Sequence, residues 1–519
     1  MHFAGEYGMI KADLQKELYG MKKPNLVYIL ADDMGWGDVS CLNPHSAFQT
    51  PNFDRLGAEG AIFTDAHATS ALCTPSRYGI LTGRYNWRSR LKSGALGGYS
   101  SHLIEPERLT VAQMLREQGY ATGCIGKWHL GMDWTLRDDC SEEERSDFLF
   151  SAEHVDFSVP VKNGPVDCGF DSFFGISASL DIPPYVYLEN DHPTALPDHE
   201  YPGTDGLLLA RRGACAPDFR HEEVLPLLTK KARAFITDHR EEPFFLYFPM
   251  PSPHTPVLPA PEFVGKSHTN AYGDYCLMCD DVVGQILEQL RLEGLEENTI
   301  VIYTSDNGCA PFVNLPELLA CGHNPSAWFR GYKSDIFEGG HRIPLLVRWP
   351  EKIRPGTRVD DTVCLCDLMA TMAEILGISL PENAAEDSVS NLPLWLSHSG
   401  PVREYTVHHS GDGSLSIRKG NWKLEMCPGS GGWSFPENGT PDVVGLPEMQ
   451  LYNLEKDPGE THNLWEEEPE LAASMKALLF DCVINGRSTP GTPQPNNGAD
   501  VWETVRWMAE FKNQGVSEN

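Results

Sequence analysis

The chain has 519 residues, enough for one large domain and a smaller one with a core in each. Its hydrophobic (41%) and charged (22%) fractions are those of a soluble globular protein. No apolar run approaches the roughly 20 residues that cross a bilayer. The net charge of −32 argues against a nucleic-acid partner, because a phosphate backbone needs basic patches and this surface repels it.

Residues 1–23 carry charges throughout and lack an apolar h-region, so they do not read as a secretory signal. Residues 1–22 are expected to form an N-terminal extension, and the chain as given reads as cytoplasmic; a leader removed upstream would reverse that. The 14 cysteines are scattered, with Cys276-x-x-Cys279 and Cys364-x-Cys366 the only close pairs. No second pair stands at zinc-ribbon spacing, so free, mostly buried thiols suited to a reducing compartment are expected.

Residues 25–30 are a short apolar run rich in strand formers that ends in Ala31-Asp32-Asp33. They read as a buried parallel strand delivering two carboxylates at its C-terminal edge, where open α/β sheets place ligands. The acids are either helix caps or hard oxygen ligands for a divalent cation. In Cys73-Thr74-Pro75-Ser76-Arg77, followed by Leu81-Thr82-Gly83-Arg84, Pro75 suits a first helical turn and Gly83 a stop, which puts Cys73 at a helix N-terminus. The helix dipole there lowers a thiol pKa and attracts an oxyanion. Arg77, four residues on, shares that face and offers a fork of donors for sulfate or phosphate; the alternative is a buried cysteine beside a structural arginine.

A helix is predicted at 109–118, capped by Thr110 and stopped by Gly119, then a strand at 120–125 that presents Gly126-Lys127-Trp128-His129-Leu130-Gly131. A lone Lys or His in a loop is usually just solvated, but glycines on both sides of this Lys-x-His suggest backbone close to something. The acidic run 139–147 reads as a solvated loop or helix face. Asp181, Tyr185 and Tyr187 fall in a Pro-rich region too irregular for a strand, where they either line a sugar subsite or pack locally. An amphipathic helix at 222–238 leads into a third buried strand, 243–248, and then His254 among prolines. That fixed backbone suits a general acid or an inert turn. Helix 274–293 and strand 299–303 follow, the strand ending in Asp306-Asn307-Gly308, which is either turn chemistry or the completion of an oxygen-rich cation site with Asp32 and Asp33. A fifth strand is expected at 345–349 and a closing helix at 361–376. Beyond Pro/Asn/Ser-rich sequence to about 401, short alternating strands at 404–424 and 449–454 precede a helix at 469–484.

These stretches resemble the formylglycine-dependent (type I) sulfatases, an arylsulfatase-like branch of the alkaline phosphatase superfamily that includes carbohydrate sulfatases. The likeness spans roughly 25–464. It implies an α/β fold with an alkaline-phosphatase-like mixed sheet sandwiched by helices, a catalytic domain over 23–400, and a smaller C-terminal α+β subdomain and tail over 401–519. It further implies that a sulfatase-maturation enzyme oxidises Cys73 to formylglycine. The aldehyde hydrate attacks sulfur with one hydroxyl and releases sulfate through the other. By the same resemblance Asp32, Asp33, Asp306 and Asn307 bind Ca²⁺, while Arg77, Lys127 and Lys333 surround the sulfate. Ser179, at the end of the family-like stretch 173–179, contacts it, His254 protonates the leaving alcohol and His129 takes the diol proton. A sulfated saccharide is the expected substrate, because polar and aromatic residues between Asp181 and His199, and a polar C-terminal region able to fold over the pocket mouth, suit hydroxyl-rich ligands; the resemblance to carbohydrate sulfatases adds 6-O-sulfate on galactose or N-acetylgalactosamine. The rival readings are an arylsulfatase of small aryl esters, a phosphatase or phosphodiesterase of the same superfamily, and a calcium-dependent glycan-binding protein without turnover. Lys127 and Lys333, standing where two-zinc phosphatases need extra ligands, weigh against the second rival. No nucleic acid or membrane partner is expected.

Overall fold

The computed structural model describes residues 20, 22–397, 400–499 and 501–509. The expected N-terminal extension therefore lies almost wholly outside the described residues. The apolar run at the chain's start forms β1 (Asn25–Asp32), buried along its whole length. Next come α1 (Pro51–Ala58), β2 (Ala61–Phe63), α2 (Cys73–Thr82), α3 (Val111–Glu117), β3 (Ala121–Lys127) and β4 (Ser172–Ile176). Two-residue strands β5 (Leu188–Glu189) and β6 (His192–Pro193) precede α4 (Val224–Asp238), β7 (Phe244–Pro253), α5 (Ala271–Leu292) and β8 (Thr299–Ser305). The large domain continues through α6 (Glu338–His341), β9 (Leu345–Arg348), β10 (Thr357–Val359) and α7 (Leu368–Leu376).

Ten strands form one sheet in the order β10-β2-β9-β8-β1-β7-β3-β4-β5-β6. From β8 to β4 neighbouring strands are parallel, while β9 runs antiparallel to β8 and to β2. β1 and β7 sit at the centre, so their near-continuous apolar sequence is what a strand covered on both faces requires. One helix layer is α1, α4 and α5; the other contains α2, α3 and α7. The Thr110 hydroxyl caps α3 by accepting from Gln113 N, as its spacing predicted. The predicted helix at 361–376 is shorter: a two-residue strand and a 3-10 turn occupy 363–367, because Asp367 turns back to accept the Cys364 N–H.

The C-terminal part is a four-stranded antiparallel sheet, β11 (Thr406–His409), β12 (Leu415–Lys419), β13 (Trp422–Glu425) and β14 (Gln450–Asn453), with α8 (Pro469–Ile484) packed on β12 and β13. Its core is shared with the large domain, since Tyr85, Trp87, Cys364 and Cys366 pack among Val407, Ile417, Leu424 and Leu479. The Pro/Asn/Ser-rich stretch between the two parts is anchored: buried Asp387 pairs with Arg88, and Glu386 with Arg84 and Arg108. All 14 cysteines are free and most are buried.

Candidate active site

Five parallel strands end at one edge of the sheet, and each delivers polar side chains there. β1 supplies Asp32 and, one residue on, Asp33; β8 leads into Asp306 and Asn307; β7 into His254; β3 ends in Lys127 with His129 just beyond; β4 leads towards Ser179 and Asp181. The N-terminus of α2 brings Cys73 and Arg77 to the same edge. Leu72 is the extended N-cap residue and Gly83, at φ 65°, closes the helix. Three residues around this edge hold left-handed backbone that non-glycine side chains rarely adopt: Asp33 (φ 66°), His129 (φ 55°) and Ser334 (φ 79°). Such strain clusters at functional sites.

The carboxylates and cations interlock. Arg77 donates through Nε and Nη2 to Asp306 Oδ2 (2.9 and 2.7 Å) and through Nη1 to the Lys127 carbonyl (3.0 Å). Lys127 Nζ donates to Asp32 Oδ2 at 2.7 Å and to Ser179 Oγ. Lys333 Nζ reaches Asp33 at 2.6 Å, and Asn307 Nδ2 donates to Asp33 Oδ1 at 2.7 Å. Burial by itself would raise the Asp32 carboxyl, but Lys127, His254, Arg77 and Lys333 outweigh it and hold it well below the usual range. Asp306 goes the other way: burial, reinforced by Asp32 and Asp33, pushes it up despite Arg77. Burial works against the Lys333 ammonium, yet Asp33 and its neighbours keep its pKa raised.

These groups fit a hard cation. Asp32 Oδ1 and Asn307 Oδ1 are buried oxygens with no hydrogen-bond partner, and ligand atoms of Asp32, Cys73 and Asp306 lie within 4.8 Å of one another. Three carboxylates and an amide form an all-oxygen set of the kind Ca²⁺ and Mg²⁺ take, and a cation among them would offset the burial and the carboxylate repulsion that together raise Asp306. Burial pushes the Cys73 thiol up, the reverse of the lowering expected from its helix N-terminus, because Lys127 and Lys333 only partly offset the lost hydration. Cys73 is therefore not a thiolate nucleophile as it stands.

The two histidines differ. His129 Nε2 lies 2.8 Å from the Leu96 carbonyl and must donate to it, which leaves Nδ1 as a bare lone pair; that atom is buried without a partner. Burial, with Lys127 and Arg77, holds the His129 pKa well below its usual value, so the ring is neutral. His254 Nδ1 donates to the Thr255 carbonyl at 2.7 Å, which directs Nε2 towards Asp33 Oδ2, 3.6 Å away. Asp181 Oδ1 lies 3.8 Å from His254 Nδ1, and the other Asp181 oxygen is held by Arg211.

A cavity of about 680 Å³ opens over this edge. Of the residues expected from sequence, Asp33, Cys73, His129, Ser179, Asp181, His254 and Lys333 line it, while Asp32, Arg77, Lys127, Asp306 and Asn307 lie beneath its floor. Arg77 thus spends its donors on Asp306 and the Lys127 carbonyl rather than on the cavity. Tyr185 and Tyr187 are not at the cavity; their rings pack on Phe219, His221 and Phe174, which decides for local packing. Sequence reasoning missed Phe148, Arg211, Phe312, Asp412, Trp433, Glu437 and Asn438, all of which line the walls. The last four come from the C-terminal part, which folds over the mouth as expected of a polar C-terminal region.

Residues 24–378 match the Sulfatase family profile. An N-acetylgalactosamine-6-O-sulfatase of Bacteroides thetaiotaomicron is 35% identical over 501 residues, covering 88% of this chain and 93% of the relative. Arylsulfatase A of Homo sapiens is 31% identical over 502 residues, 92% of each chain. A solved Bacteroides thetaiotaomicron sulfatase, described with the metabolism of multiple glycosaminoglycans, superposes with a TM-score of 0.76 at 34% identity over 88% of this chain and 99% of its own. A strand-edge cluster of acids and lysines, a Cys-x-Pro-x-Arg helix start and this match over most of the chain make the protein a member of the sulfatase family, a sulfuric ester hydrolase of the alkaline phosphatase superfamily.

Proposed function

We propose that the protein hydrolyses sulfate esters of saccharides, with 6-O-sulfated N-acetylgalactosamine or galactose as the preferred substrate. The observation that carries this is the 35% identity to an N-acetylgalactosamine-6-O-sulfatase over 88% of the chain. A cavity with carboxylates, the Asn438 amide and open aromatic rings on its walls supports it, because such surfaces suit rings rich in hydroxyls. Asp32, Asp33, Asp306 and Asn307 would hold calcium, which supplies positive charge against the sulfate oxygens. A maturation enzyme would convert Cys73 to formylglycine, whose hydrate supplies an oxygen nucleophile and a second hydroxyl for releasing sulfate.

The remaining steps belong to the chain's own side chains. Lys333, at the cavity wall, and Ser179, oriented by Lys127, hold sulfate oxygens. Arg77 fixes the Asp306 carboxylate from below. With Nδ1 fixed on the Thr255 carbonyl, His254 presents Nε2 to give a proton to the departing sugar hydroxyl. The neutral His129, with a bare Nδ1 beside the cavity, accepts a proton from the Cys73-derived hydrate.

The test is sulfate release from a panel of sulfated mono- and disaccharides, run on protein whose metal content and Cys73 peptide mass have been measured. Turnover of 6-O-sulfated hexosamine or galactose, stoichiometric calcium and a Cys73 peptide that has lost H₂S and gained oxygen are expected. Turnover of aryl sulfates alone would replace the saccharide reading with an arylsulfatase. Zinc without calcium would overturn the metal assignment.

A further inference from the structure

The lining of the cavity joins the charged groups of the sheet edge to three aromatic rings that the mechanism does not use: Phe148, which carries the Arg211 guanidinium over its face, and Phe312 and Trp433, which pack on each other. Phe312 follows the Asn307-Gly308 turn of the large domain, and Trp433 comes from the C-terminal part. Their ring centroids are 5.0 Å apart at 42°, and they are 55% and 45% exposed. Rings of this size left open inside a functional cavity have a face to offer a ligand.

Trp433 is held in place rather than merely left at the surface. Asp335 Oδ1 accepts the backbone N–H groups of Trp433 and Ser434, each at 3.0 Å, and the Ser434 hydroxyl donates to Asp335 Oδ2. The loop lies so close to the 333–335 turn that a Cβ on Gly432 would stand 2.4 Å from the Ser334 carbonyl carbon, so only glycine permits the approach. The same turn carries Lys333, whose Nζ reaches Asp33. The distance from the sulfate end to the Trp433 face is therefore set by one short, strained segment. Beside the ring, Asn438 Nδ2 donates to Asp412 Oδ2 at 2.7 Å, and the exposed Glu437 lines the same wall. Carboxylates next to an aromatic face bind hydroxyls of an uncharged ring and repel a second sulfate or a uronate.

We propose that Trp433, with Phe312 beside it, is the stacking platform for the apolar face of the saccharide ring attached to the sulfate, and that Asp412 and Glu437 restrict this subsite to rings without a further negative charge. This rests on the saccharide reading of the site. The ring's C–H face lies on Trp433 while its sulfate reaches Lys333, which makes the platform a determinant of substrate choice that does not touch the reacting atoms.

The test compares wild type, Trp433→Ala, Trp433→Phe and Phe312→Ala on a 6-O-sulfated hexosamine and on the same sugar with a second sulfate, with inhibition by inorganic sulfate as a readout of the sulfate end. Trp433→Ala should raise KM for the monosulfated sugar about tenfold, with Trp433→Phe within about threefold of wild type, as expected for losing or keeping one aromatic face. The sulfate inhibition constant should stay within about twofold of wild type, and Phe312→Ala should show a smaller rise in KM. Wild type should prefer the monosulfated sugar. A Trp433→Ala enzyme with unchanged KM, or one in which sulfate inhibition weakens in step with KM, overturns the platform; should that variant not fold, an unchanged KM in both Trp433→Phe and Phe312→Ala overturns it equally. Failure of wild type to act on any sugar sulfate would instead strike the saccharide reading itself.

Discussion

Two clusters of buried charge lie on either side of the 333–341 segment, and they behave differently. At the sheet edge, Asp32, Asp33 and Asp306 face Arg77, Lys127 and Lys333. At the joint with the C-terminal sheet, Asp65, Glu338, Glu425 and Glu460 face Arg342, Arg418 and Lys423, with His67, His341 and His408 among them. Side chains in both are almost wholly removed from water. The joint, however, contributes nothing to the active-site cavity and pairs its cations internally: Lys423 donates to Glu460 and to the Ile336 carbonyl, each at 2.8 Å, and Arg418 reaches Asp65 at 2.6 Å, although Glu338 Oε1, both Glu425 carboxylate oxygens and His408 Nε2 have no hydrogen-bond partner. The sheet edge opens on a cavity and leaves Asp32 Oδ1, Asn307 Oδ1 and His129 Nδ1 without hydrogen-bond partners, Asp32 Oδ1 lying 3.5 Å from Arg77 Nη2. What separates the two clusters is the cavity rather than the orphaned atoms: unpaired groups beneath an open cavity can meet a ligand, whereas those of the joint are closed off from it.

The largest separation of the two clusters should come from His254→Ala. It removes the cavity-wall proton donor and touches nothing at the joint, so unfolding should hardly change. Turnover of a sugar sulfate, whose alkoxide is a poor leaving group, should fall by about 10²–10⁴-fold, the range of general acid catalysis. An activated aryl sulfate should lose far less. Equal losses on both substrates would remove the acid role.

Lys423→Met tests the opposite cluster. It strands Glu338, Glu425 and Glu460 together in the interior, and removing one partner of a buried ion pair costs about 3–5 kcal/mol. Urea midpoints should drop accordingly, while kcat of the protein that remains folded should stay near wild type because Lys423 lies outside the cavity. A kcat loss without a midpoint shift would show that the joint acts on the chemistry.

The difference between the clusters also explains what could be read from the sequence. Strand ends were legible because an apolar run followed by Asp-Asp, Lys-x-His or Asp-Asn is a local pattern, and a parallel sheet brings its C-terminal edges together. The sense of Arg77 was not, since its donors were free to take sulfate or carboxylate until Asp306 was placed beside it. Trp433, Phe312, Arg211 and Phe148 carry no local signature; four loops far apart in sequence meet only once the C-terminal sheet has docked. The joint was equally invisible, because His67, His341 and His408 come from three separate segments. The helix predicted over 361–376 lost its first turns to Asp367, a side chain competing with the backbone for the chain's own N–H groups.

The smallest expected effect is the acid sensitivity of that joint. Burial holds His67, His341 and His408 below their usual pKa; neighbouring His341, His67 and Lys423 add to the lowering at His408, against the opposing pull of Glu338. Each depressed histidine is neutral in the folded protein, whereas the unfolded chain takes up its proton near pH 6.5. The unfolded state therefore binds more protons below that pH. The stability these groups permit is complete above about pH 6.5 and declines as pH falls towards the depressed folded values, by about 1.4 kcal/mol per pH unit for each such histidine. His408 is the clearest case, for its rings stack on His341 at 3.9 Å and its buried Nε2 has no acceptor to receive a new N–H. His408→Gln, which keeps a polar side chain but cannot titrate, should flatten the slope of unfolding free energy between pH 6.5 and 5 by about one proton relative to wild type. His129 titrates in the same direction in both proteins and cancels in the comparison. An unchanged slope would mean that His408 is already protonated in the folded joint, with Glu338 as its counter-charge.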